Sequence, residues 1–118
     1  MPRIVCCSTI LLCLAFTSTS HAQSKVADPA GVAFFESKVR PLLIAQCHSC
    51  HGPKKQKGGL RLDSAAALRK GSGGLPVVVP GKPEQSPLIQ AINHTGDVKM
   101  PPKGKLTPEE IAVLTTAI

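Results

Sequence analysis

The sequence has 118 residues, room for one small domain, and carries 14 Lys plus Arg against 7 Asp plus Glu for a formal net charge of +7. Aromatic content is 3%, with no Trp and no Tyr, so a core made of protein alone would be poor, and domains of this size often lean on a metal, a disulfide or a cofactor. The basic excess does not describe a nucleic-acid binder, because no stacking aromatics are interleaved with the lysines and arginines.

Residues 1–22 read as a secretory signal. Arg3 supplies a positive start, residues 4–16 are largely apolar, and Ser20-His21-Ala22 offers small residues for cleavage before Gln23. The apolar run is shorter than the roughly 20 residues of a membrane span, which disfavours an uncleaved anchor. Lipid attachment at Cys13 would want a small residue where Leu12 stands. Cys6, Cys7 and Cys13 leave with the signal, so the exported, periplasmic chain keeps Cys47 and Cys50.

Residues 23–32 are expected to be a flexible lead-in to a domain spanning 33–118, with Asp28-Pro29 as a cap and first-turn proline. Phe35, Val39, Leu42 and Leu43 fall on one helical face, and Pro41 inside that pattern predicts a kink or break. After Cys47, Gly52-Pro53 ends a turn and Lys54, Lys55 and Lys57 lie in a polar loop. Leu60-Arg61-Leu62 alternates as an extended piece, and Asp63 or Ser64 caps a short helix ending near Lys70. Residues 71–74 form a turn and residues 76–83 an extended stretch. Ser86-Pro87 opens a further helix through Leu88, Ile89 and Ile92. Residues 94–105 are a loop holding Met100-Pro101-Pro102. Thr107-Pro108-Glu109-Glu110 predicts a capping box, followed by Ile111, Leu114 and Ile118 on one side. The last helix meets no stop signal, which reads as a chain truncated at its C-terminus, with further domains absent.

The chemistry resides in Cys47-His48-Ser49-Cys50-His51, the attachment pattern of c-type haem. Two thiols separated by two residues reach the two vinyl groups of one porphyrin and form thioethers. The next residue, His51, is then carried to the iron as an axial ligand. His48, inside the pair, is expected to face solvent. Three other readings compete. A thioredoxin-like redox pair would want a preceding strand, where this segment reads as helix. Zinc held by Cys47, Cys50, His51 and His94 would need two adjacent residues on one tetrahedral ion. A plain disulfide would leave His51 idle. Met100, the only methionine beyond the signal, is the candidate second axial ligand, since a thioether is soft and the following prolines restrict the backbone. His94 is its rival.

From Phe34 onward the chain resembles the planctomycete-type cytochrome c domain, a class I-like c-type cytochrome. The likeness is carried by Phe35, Val39-Arg40-Pro41-Leu42-Leu43, the Cys47 to Gly52 block, Gly59-Leu60-Arg61-Leu62-Asp63, Pro80-Gly81-Lys82-Pro83-Glu84-Gln85-Ser86-Pro87-Leu88, His94, Lys99-Met100-Pro101-Pro102 and Leu106-Thr107-Pro108-Glu109-Glu110-Ile111. The resemblance implies an all-α fold, a small cytochrome c-like helical domain wrapped around one covalently bound haem c. It also implies His51 and Met100 as axial ligands. Relatives usually continue into further domains and tend to carry tryptophan where Ala117 stands. The expected activity is single-electron transfer rather than catalysis, with an acidic redox partner drawn to the lysines around the two ligand-bearing loops. The alternative is a haem-containing accessory or sensor domain of a larger exported enzyme.

Overall fold

The computed structural model describes residues 28–118. The signal segment 1–22 and its cleavage point lie outside the described residues.

The chain begins with local start signals that hold. The Asp28 carboxylate accepts the amide of Gly31 at 3.0 Å, and Pro29 occupies the first turn of α1 (Pro29–Phe34). Residues 29–32, which the domain boundary assigned to a flexible lead-in, are helical, as the cap and first-turn proline at Asp28-Pro29 predict. The helix then widens into a π-helical stretch, Phe35–Val39, in which the Arg40 amide reaches back to the Phe35 carbonyl. This is the irregularity expected at Pro41, displaced one turn earlier. Pro41 offers no N–H and its ring conflicts with the carbonyl four residues back, that of Ser37, which lies inside the widened stretch.

The helical path resumes as α2 (Arg40–Gln46) and, after a break at Cys47, as the single turn α3 (His48–His51). A 3₁₀ turn at Lys57–Gly59 leads to the short α4 (Ala65–Lys70), where the Ser64 hydroxyl accepts the Ala67 amide at 3.1 Å. Gly71 follows at φ 68°, and a Cβ there would sit 1.8 Å from the Leu75 carbonyl oxygen, so only glycine lets the 72–75 turn close.

Residues 76–83, expected to be extended, fold back onto Ser86 through a 3₁₀ turn at Pro83–Gln85. Ser86 precedes α5 (Pro87–Asn93) as expected, but its hydroxyl does not cap the helix. Fully buried, it accepts the Val79 amide at 2.9 Å and donates toward the Lys82 carbonyl at 3.0 Å, closing the loop from inside. The final helix, α6 (Pro108–Thr116), opens with the expected capping box: Thr107 and Glu110 exchange backbone and side-chain bonds of 2.9 and 3.2 Å. Gln46, at the end of α2, donates to the same Glu110 carboxylate at 3.1 Å and joins the two elements.

The core is aliphatic. Val39 and Leu43 from the first helical run meet Ile89 and Ile92 of α5, Leu106, and Leu114 of α6. Phe34, Phe35, Leu42, Cys47, Ile111 and Ile118 pack around it, which places the two helical faces read from sequence on one interior. Among the described residues no strand forms beyond two isolated bridges, and the fold class is all-α.

Candidate functional site

The attachment motif is one helical turn hung on the end of α2. The Cys47 amide bonds the Leu43 carbonyl at 2.9 Å, and the Cys47 carbonyl accepts the amides of Cys50 and His51 at 3.1 and 2.9 Å. Both thiols are free, and Cys47 rests against the core. Gly52 lets the chain leave: a Cβ at this position would lie 2.5 Å from the His48 carbonyl oxygen, a clash with backbone that could not relax.

Two bonds to Leu62 fix the turn. The Leu62 amide donates to the His51 carbonyl at 2.8 Å, and the His48 ring Nε2 meets the Leu62 carbonyl at 3.1 Å. His48 is therefore partly buried and engaged, not solvent-facing as expected; the extended residues after the lysine loop return beneath it. Nothing local in the sequence signals that return.

His51 differs from both other site histidines. Its Nδ1 is buried and finds no hydrogen-bond partner. An unsatisfied buried nitrogen costs on the order of 1–3 kcal/mol, and structures that retain one usually have a use for it. An imidazole directly after the second of two free thiols is the donor set that covalent haem requires, so the residues present fit that group.

Burial raises the Cys47 thiol to about 11. The thiolate is the nucleophile, so Cys47 in the haem-free chain should react with an alkylating reagent at neutral pH roughly a hundredfold more slowly than an ordinary thiol of pKa about 8.5. Peptide mapping after timed alkylation measures this, and modification of Cys47 at the rate of a free thiol would contradict it.

Met100 is tied to α5. Its amide donates to the Ala91 carbonyl of α5 at 3.0 Å, the Met100–Pro101 peptide is cis, and Gly104 closes a turn back to the Pro101 carbonyl at 3.2 Å. Leu106 then returns the chain to the interior. His94, the alternative ligand, ends α5 in the left-handed conformation at φ 58°, and its Nε2 faces the Met100 carbonyl at 3.1 Å. That nitrogen is occupied within the protein. The Cys47–His51 turn reaches the core through Cys47, and the Met100 loop is joined to it through Leu106 and the bond to Ala91 of α5. Among the described residues, no three His, Cys, Asp or Glu side chains converge as a metal set, so Cys47, Cys50, His51 and His94 do not form the cluster tetrahedral zinc would need.

No described helix is long and apolar enough to cross a membrane. Neither the curated proteins nor the solved structures yield a match. Residues 47–104, from the first motif cysteine to the end of the Met100 loop, match the family model for Planctomycete cytochrome C. The chain thus carries a planctomycete-type cytochrome c domain, of a family whose members bind haem and transfer electrons.

Proposed function

We propose that this domain is a single-electron carrier of an exported compartment, with one haem c held by thioethers to Cys47 and Cys50 and with His51 and Met100 as axial ligands. The observation that carries the reading is the Cys47–His51 turn itself, two free thiols with an imidazole directly after the second, inside the stretch that matches the family model. When bound, haem c supplies a one-electron iron couple.

The protein's part is positional. The α2 end and the two Leu62 bonds hold the thiols and the imidazole on a rigid turn. Met100 would be the second protein ligand to the iron, leaving no open position for a substrate. Its soft sulfur favours the ferrous state. The aliphatic core, short of aromatics, gains from a large apolar group bound against it.

Export is supported by the leader at residues 1–22, because attachment of this kind takes place on the exported side. The partner is a redox protein with an acidic docking surface. Lys54, Lys55 and Lys57 follow the motif, Lys99, Lys103 and Lys105 flank Met100, and all six are exposed. A positive field of this kind steers an acidic partner and is weakened by salt.

Mass measurement of the protein from a host able to attach haem tests the proposal. The expected mass exceeds that of residues 23–118 by one haem, with an absorption spectrum that changes on reduction. A mass equal to the amino acids alone would overturn it.

A further inference from the structure

We propose that His94 is a positioning residue for the Met100 ligand: its ring N–H holds the Met100 carbonyl and thereby limits where the sulfur can go. The inference rests on the reading of Met100 as an axial ligand.

Methionine is unbranched with three rotatable side-chain bonds, so its sulfur is placed only as well as its backbone is. At Met100 both backbone polar groups are tied to the same end of α5. The amide donates to the Ala91 carbonyl at 3.0 Å, and the carbonyl faces His94 Nε2 at 3.1 Å. A carbonyl only accepts, so Nε2 carries the proton and donates. The two anchors are close in the chain: the His94 amide itself donates to the Ala91 carbonyl at 3.2 Å, which makes that one oxygen the meeting point of helix end and ligand loop.

The backbone at His94 bears on how the test must be built. A helix terminus at φ 58° suits glycine or asparagine best, and histidine enters it more often than most larger side chains. Histidine stands in a conformation that other residues adopt more easily, and what it alone contributes is a ring donor long enough to reach across the loop. Its Nε2 is consumed by that bond, which also explains why it does not compete with Met100 for iron.

The test uses the haem-loaded protein in five forms: parent, H94G, H94A, H94Q and M100A. Covalent haem by mass and helix content by circular dichroism establish that each is folded. The readouts are the long-wavelength sulfur–iron band of the oxidised protein and its displacement by added imidazole. H94G and H94A are expected to keep the band but to yield it to imidazole at roughly tenfold lower concentration, the scale set by one hydrogen bond. H94Q, which retains a donor, is expected to recover part of that loss. H94G separates the two roles of the site: glycine is the better residue for the left-handed backbone, so a purely conformational role predicts no weakening in H94G. Imidazole affinity in H94G and H94A equal to the parent, with the band absent only in M100A, would overturn the positioning role while leaving Met100 as ligand. A band that survives in M100A would instead remove the ligand reading itself.

Discussion

Met100→Ala in the haem-loaded domain is expected to abolish the long-wavelength sulfur–iron band and to lower the reduction potential by on the order of 100 mV, a fraction of the roughly 0.8 V that axial ligation spans. The reasoning begins with the donor: thioether sulfur is soft and stabilises ferrous over ferric iron, and alanine offers no replacement atom. The nearest candidate substitute, His94, is committed to the backbone of residue 100 through a bond that a side-chain truncation leaves in place. The iron face opened by the variant should therefore accept carbon monoxide readily in the reduced protein, whereas the parent must first release its sulfur. Spectroelectrochemistry reads the potential and a carbon monoxide titration reads the vacancy. A variant that keeps its band and its potential would show that another residue holds the iron.

Ile92→Ala should produce the largest loss of stability from a single side chain. Ile92 is 1% exposed and belongs to the cluster joining α5 to Val39, Leu43 and Leu114. Truncating a buried isoleucine removes apolar burial and leaves a cavity, at about 2–5 kcal/mol. A small domain holds little in reserve beyond that. Thermal unfolding of the haem-loaded protein, followed by circular dichroism, should show a midpoint lower by roughly 10–25 °C. A shift of only a degree or two would mean that the aliphatic cluster is not what holds the helices together.

The parts of this fold that were legible in the sequence are those governed by neighbours within one turn. Asp28 with Pro29, Ser64, and Thr107 with Glu110 each start a helix through a side chain three residues from its partner, and each did so as expected. The two apolar faces were equally plain, since period alone assigns them. What escaped reading depends on chain segments returning from a distance. Ser86 looks like a cap beside Pro87, yet its hydroxyl serves Val79 and Lys82, because the proline-bounded loop folds over it. His48 looks exposed inside its motif, yet Leu62 comes back to meet it from 14 residues away. Pro41 announced an irregularity, but the widened turn lies before it, since the conflict of a proline ring is with the preceding turn. For the site, the pentapeptide opens the stretch that matches the family model, and its last four residues share one helical turn. The engagement of His94 was invisible, because a donor aimed at a backbone carbonyl leaves no trace in the identity of its acceptor.

The manner in which Leu62 grips the attachment turn bears on how this domain can vary between descendants. Both of its bonds use peptide groups, one amide and one carbonyl, while its side chain is turned into the interior at 3% exposure. Substitution there is filtered by volume and greasiness alone, and the grip on the cysteine–histidine turn passes unchanged through any exchange of one aliphatic residue for another. Proline is the exception, because it has no amide hydrogen to give. The scaffold can thus drift in composition around its reactive turn without losing hold of it.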